Sequence, residues 1–262
     1  MTPNTPASDR NPVLLSAMHW KEVKDREFDL VVLPWGATEP HNLHLPFGTD
    51  IIESEVIAER SARYAADRGT RIAVLPTIPY GVNTGQMDLR LTISVNPSTQ
   101  LSILRDIVES LSGQGIRRLV ILNSHGGNDF RPAIRELKPR FPRMFLGLIN
   151  WYQMLDQRRY FTARDDHAGE METSILLAVA PSLVLPLNEA GEGTERPFRL
   201  KALRERWLWT PRAWSRATED TGVGNPKNAR AENGERFLAD LTAAIGDAFV
   251  ELAAADPEEL YE

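Results

Sequence analysis

The chain contains no cysteine. Disulfides, thiolate nucleophiles and sulfur ligands are thereby excluded, so any bound metal must rest on oxygen and imidazole nitrogen, a donor set that suits zinc, manganese or iron(II). Long apolar runs are missing too. The most apolar segment, ILLAVAPSLVLPL, is cut by Pro181 and Pro186 and falls short of the roughly 20 residues that a membrane-spanning helix needs. The opening MTPNTPASDRNP lacks the apolar core of a signal peptide and reads as a loose arm over residues 1–12. Positive charge is in the minority: 30 Lys and Arg against 36 Asp and Glu leave a net charge of -6. A general nucleic-acid or anionic-membrane partner is not expected from that balance. These absences predict a cytoplasmic protein with no membrane and no nucleic-acid partner.

What is present is an ordinary globular composition, 42% hydrophobic and 25% charged over 262 residues, enough for one sizeable core and one domain over residues 1–262. The near-continuous Val, Ile and Leu runs at 28–35, 71–80, 116–124 and 144–151 read as buried strands. Between them lie helical patterns. One starts at Thr49 or Asp50 and runs to about Ala66; a second follows the Asn96-Pro97 start signal and stops at glycines; a third spans about Asp129 to Lys138. The alternation predicts an α/β fold with a largely parallel sheet and helices on both faces. Ligands then bind beyond the carboxyl ends of the strands.

The loops at those ends carry the chemistry. LPWGATEPHNLHLPFGTD (33–50) holds Glu39, His41, His44 and Asp50; NSHGGN (123–128) holds His125; DDHAGEMETS (165–174) holds His167, Glu170 and Glu172. The chain has only five histidines, and all but His19 fall in these loops. Metal-assisted hydrolysis needs such a set, because a cation pair about 3.5–4 Å apart takes one bridging carboxylate and terminal imidazole and carboxylate ligands. Glu39, His41, Asp50 and His125 supply a core of that kind, with a further ligand from the third loop. His167 is the candidate proton shuttle, or alternatively orients a ligand carboxylate; Glu170 could share either role. Ser124 is no nucleophile candidate, since the Gly-x-Ser-x-Gly elbow is missing. No Walker loop or dinucleotide fingerprint appears either.

These blocks, with the late TGVGNP and AENGERFL, resemble the creatininase (creatinine amidohydrolase) family in order and spacing from about residue 28 to 250. The resemblance implies a three-layer α/β/α fold, a homo-oligomer, often a hexamer, and two divalent metal ions, zinc, manganese or iron. It also implies that Glu39 and His125 serve one metal, that His41 serves the other and that Asp50 bridges. Creatininase itself places a glutamate two residues after the histidine of its third-strand loop, where this chain has Gly127. Glu172 is then expected to restore that ligand, and a substrate other than creatinine is favoured.

Around this centre, His44, Trp35, Trp151 and Arg90 are candidates for substrate contact. The alternatives are loop stiffening for His44, core packing for the tryptophans and simple solvation for Arg90. The basic, Trp-rich stretch 196–216 reads as a lid or a subunit contact. The expected activity is hydrolysis of an amide-type C–N bond in a small, cyclic substrate by a hydroxide bridging the two metals. Alternatives are opening of an oxidised sugar or ketocyclitol ring, and a non-catalytic metal-dependent small-molecule binding protein.

Overall fold

The computed structural model describes residues 12–163 and 166–261, so all but Pro12 of the expected arm lies outside the described residues. Strands β1 (Leu30–Trp35), β2 (Ile72–Val74), β3 (Arg118–Asn123) and β4 (Phe145–Asn150) form one parallel sheet in the order β2-β1-β3-β4. The second strand is shorter than the expected 71–80, because Pro76 and Pro79 have no N–H to offer a ladder. The chain nevertheless continues alongside β1, with Ile78 N donating to the Pro34 carbonyl at 3.1 Å.

The helices are α1 (Trp20–Val23), α2 (Thr49–Ala66), α3 (Pro97–Gly113), α4 (Arg131–Leu137), α5 (Glu170–Val179), α6 (Lys201–Arg204), α7 (Trp214–Ala217) and α8 (Ala231–Ala254). Successive strand residues point to opposite faces, and each face is apolar. Leu30, Val32, Val120 and Leu122 pack with Ile57 of α2, Ile175 of α5 and Phe237 of α8. Val31, Leu33, Leu119 and Ile121 pack with Leu104 of α3 and Leu137 of α4. The result is the predicted α/β/α layering. Long α8 lies close on its neighbours because Gly234 faces the Ser174 carbonyl, where a Cβ would come within 2.1 Å.

Strand order places the site. The chain steps from β1 to β2 on one side, then crosses back to lay β3 on the other side of β1. A crevice opens where the order reverses, beyond the carboxyl ends of β1 and β3. Those ends lead into the loops that carry Glu39 and His41 and His125. No single helix among the described residues is long and apolar enough to cross a membrane.

The turn at Arg90-Leu91-Thr92 corrects one expectation. Leu91 adopts φ 64 and is 74% exposed, and Arg90 beside it is exposed and does not line the central cavity. A non-glycine residue in the left-handed region costs about 1–2 kcal/mol, partly offset in the reverse substitution by glycine's larger unfolded entropy. Leu91→Gly is therefore expected to raise stability by roughly 0.5–1 kcal/mol, read as a higher denaturant midpoint; a lower midpoint would contradict the strain.

Candidate metal centre

Each loop is fixed by its own main-chain bonds before any side chain meets another. In the first, Glu39 N donates to the Phe47 carbonyl and Leu45 N to that of His41, which folds 39–47 back on itself and delivers Asp50 to the first turn of α2. Asn42, at φ 53, ties this hairpin outward: its N–H donates to Thr221 Oγ1 at 3.0 Å and its side-chain oxygen accepts from Gly191 N at 2.8 Å. The turn after β3 is bracketed by asparagines. Asn123 Oδ1 accepts from His125 N and from Asn128 Nδ2, while Asn128 Oδ1 accepts from Val82 N and from Gln100 Nε2. The late block anchors the third loop, since His167 and Val223 exchange main-chain hydrogen bonds of 3.0 and 2.8 Å.

Glu39, His41, Asp50, His125, His167 and Glu172 come together, and all are buried. His41 Nε2 lies 2.9 Å from Asp50 Oδ1 and 4.0 Å from Glu172 Oε2. His125 Nδ1 lies 3.0 Å from Glu39 Oε1 and 3.2 Å from Asp50 Oδ2. His167 Nδ1 lies 3.8 Å from Glu39 Oε1, and its ring sits 4.2 Å from that of His41. Among the described residues, these donors form groups compact enough to hold a cation: Glu39, Asp50 and His125; His41, Asp50 and Glu172; and Glu39, His41 and His167. Asp50 is common to the first two.

The donor set fits a metal on an internal criterion. The three imidazoles each spend one ring nitrogen on a main-chain carbonyl, His41 Nδ1 on Glu39, His125 Nε2 on Val82 and His167 Nε2 on Pro40, at 3.0, 3.2 and 2.9 Å. That leaves the other nitrogen aimed at the carboxylates, the orientation that metal-ligating histidines adopt. The charge balance says the same. Burial alone pulls the His41 imidazole down, yet Asp50, with Glu172 and Glu39 behind it, outweighs burial and lifts it to about 10. His125 is likewise raised against burial by Glu39 and Asp50. Asp50 is held well below the carboxylate range, because His41 and His125 outweigh the opposing effect of burial. This carboxylate cluster draws positive charge, and divalent cations would compete with the protons held there. Asp50 Oδ2 is buried and faces only the His125 imidazole, at 3.2 Å.

His167 differs. Burial and the neighbouring His41 charge push it down to about 4, so the imidazole stays neutral. The Trp214 ring meets it edge-on, ring centres 4.7 Å apart. Glu172 Oε2 accepts from Ala168 N at 2.5 Å, and Ala168 takes φ 53 to present that N–H.

Other expected site residues lie elsewhere. Trp35 points to the same sheet face as Val31 and Leu33, packs on Phe130 at 4.9 Å and donates from Nε1 to the Tyr80 carbonyl. Trp151 is wholly buried, its Nε1 donating to Ser124 Oγ at 2.7 Å. Neither lines the cavity; Tyr152, one residue on, does. Burial, aided by Asp50, lifts the Tyr152 phenol to about 12, so it remains a hydrogen-bond donor. His44 is buried with Nε2 2.8 Å from Thr173 Oγ1, which makes it a loop brace against α5. Glu170 also lies outside the cavity lining. Its Oε2 accepts from Thr162 N, Thr162 Oγ1 and Ala163 N and so pins the 162–163 loop.

The sequence reading missed Gln86. This buried side chain donates from Nε2 to Glu39 Oε2 at 2.5 Å, turning Oε1 toward His125. Gln86→Leu removes the bond that orients Glu39. The expected result is about a 10- to 100-fold loss of metal affinity with the fold retained, read by metal titration; unchanged affinity would show that Glu39 is oriented without it.

Beside the cluster lies a cavity of about 680 Å³, lined by Glu39, Asp50, His125, His167 and Glu172 of the cluster and by Tyr152, Gln153, Leu155, Gln157, Arg158 and Arg206 among others. Fold and centre together define an α/β/α protein with a buried carboxylate and imidazole cluster at the floor of an open crevice. The chain belongs to the creatininase family: the creatinine amidohydrolase family model matches residues 16–249. It is a hydrolase of the amidohydrolase type that this family represents.

Among curated relatives, the mycofactocin precursor peptide peptidase of Mycolicibacterium smegmatis is 28% identical over 220 residues, 83% of each chain. Creatinine amidohydrolase of Pseudomonas putida is 26% identical, covering 66% of this chain and 74% of its own. The 3-dehydro-scyllo-inosose hydrolase of Thermotoga maritima is 27% identical over 66% of this chain and 58% of its own. Among solved structures, a candidate creatinine amidohydrolase from Bacteroides fragilis superposes with a TM-score of 0.89 at 43% identity, covering 96% of this chain and 99% of its own. A creatininase mutant complexed with creatine gives 0.76 at 25% identity, covering 91% and 98%. Creatininase solved with manganese and in a zinc–zinc form shares the fold at 24% identity.

Proposed function

We propose that the chain is a dinuclear metal-dependent amidohydrolase. Glu39 and His125 serve one divalent cation, His41 and Glu172 the other, and Asp50 is shared. The observation that carries this reading is that Asp50 belongs to two separate donor groups, each completed by one carboxylate and one imidazole. Zinc, manganese or iron, when bound, supplies Lewis acidity toward a carbonyl and makes water a nucleophile near neutral pH.

The chain's own residues do the rest. His167, anchored through Nε2 on Pro40, takes the proton of the attacking water at Nδ1 and returns it to the leaving nitrogen as the C–N bond breaks. Tyr152 donates a hydrogen bond to substrate, and Gln153 and Gln157 meet its polar atoms along the wall. Glu170 and His44 hold the third loop and the first hairpin in place. Ring opening of a ketocyclitol is the second reading, favoured by the polar wall and by the likeness to the Thermotoga maritima hydrolase. The setting is cytoplasmic, and copies assemble into a homo-oligomer that covers the exposed Trp207 and Trp209; light scattering of the purified chain measures that assembly.

The test is turnover by zinc- or manganese-loaded protein of cyclic amides, formamides, short peptides and keto-sugars. Chelator-sensitive release of an amine from an amide is the expected result. Turnover of keto-sugars alone transfers the assignment to the second reading, and silence across the panel contradicts both.

A further inference from the structure

Among the described residues, the charges that Asp156, Arg158 and Asp166 bring to the cavity are each met by a partner. Asp156 and Arg158 bond each other at 2.9 Å, and Asp166 is met by Arg212 at 2.8 Å, which also reaches Glu195 at 2.9 Å. Arg206 lines the cavity and has no carboxylate partner among the described residues. Its neighbour Glu205 is turned aside, accepting from Trp207 Nε1 at 3.3 Å and facing Lys201 Nζ at 3.6 Å. The turn that carries Arg206 is built by main-chain bonds, Arg206 N to Leu203 O and Leu208 N to Ala202 O, both at 3.2 Å.

That turn is strained. Arg206 sits at φ 61, a left-handed conformation that is strained for a residue with a Cβ and that concentrates at ligand clamps. Glycine would have been free of the penalty, and arginine stands there instead. The same cavity is also lined by the apolar or aromatic side chains of Tyr152, Leu155 and Met171 and by the amides of Gln153 and Gln157. A cavity of about 680 Å³ is within the range that holds a ligand of many atoms, more than a lone small ring would fill.

We propose that Arg206 recognises a carboxylate on the substrate, remote from the bond that is cut, so that the preferred substrates are acyl amino acids or peptide C-terminal segments. This rests on the amidohydrolase reading above. A guanidinium matches a carboxylate through paired, charge-assisted hydrogen bonds. One uncompensated positive charge at a rim that also holds Asp156 and Asp166 suits a monoanion better than a phosphate dianion. The carboxylate anchors one end, apolar lining residues such as Leu155 and Met171 receive the intervening side chain, and the scissile amide is left over Asp50 and His167.

The experiment compares kcat/KM for short peptides and N-formyl amino acids carrying a free carboxylate with their amidated twins, using manganese-loaded wild type, Arg206→Ala, Arg206→Lys and Arg90→Ala. Wild type and Arg90→Ala are expected to prefer the acids by about tenfold or more. In Arg206→Ala the preference falls to within about threefold, mainly through KM, and Arg206→Lys recovers part of it. Equal cleavage of acid and amide by wild type, or an undiminished preference in Arg206→Ala, overturns the proposal while leaving the amidohydrolase reading intact. Failure to cleave any amide contradicts that reading itself, and this inference with it.

Discussion

Asp50→Asn is expected to lower turnover by on the order of 10³-fold while leaving the chain folded. The side chain keeps its shape and still sits at the first turn of α2, so packing is unchanged. What disappears is the charge common to the two donor groups, Glu39 with His125 and His41 with Glu172. Each group would then be left with a single carboxylate for a divalent cation. The check is kcat/KM at saturating manganese together with circular dichroism. Activity within tenfold of wild type would show that the two groups do not depend on a shared ligand. By comparison, replacing a residue that only orients a ligand, such as Gln86, acts on affinity and is overcome by added metal.

Gly127→Glu introduces a glutamate where creatininase carries one, and it is expected to damage the site instead of restoring that arrangement. A Cβ at 127 would lie 2.3 Å from the Val82 carbonyl oxygen and 2.4 Å from His125 Nε2. The first is main chain and cannot step aside cheaply, and the second belongs to the contact that holds the His125 ring in place. The expected outcome is a loss of roughly 1–3 kcal/mol in stability and at least about 100-fold in turnover. Gly127→Ala should do much of the same harm, since the obstruction is the first carbon and not the carboxylate. Thermal unfolding and activity of the two variants decide it. If Gly127→Ala behaves as wild type, the ring and the loop have room that the structure denies them.

Gly127 also shows why the centre was legible in the sequence and where legibility stopped. Histidines and acids following buried strands, in a chain with few histidines, were enough to single out Glu39, His41, Asp50 and His125, because the parallel order places every such loop at one edge; Glu172 was singled out within the third loop only through the family resemblance. The helices announced themselves by Thr49 and Pro97, and α2 and α3 begin there. Second partners were not legible. Gln86 is a lone amide in a turn 47 residues from Glu39, and nothing local distinguishes it from a solvated glutamine. Arg206 lines the cavity through a long-range contact with no period or spacing to betray it. Trp35 was readable in hindsight by parity: on a strand it shares the face of Val31 and Leu33, and that face is core. Trp151 closes β4 and turns inward, so the wall position falls to Tyr152.

The count of bound divalent metal per chain is the most direct measurement of the central claim. Protein loaded with manganese or zinc, freed of excess ion and analysed by elemental mass spectrometry, is predicted to hold two equivalents. One equivalent, or none, contradicts a cation pair sharing Asp50.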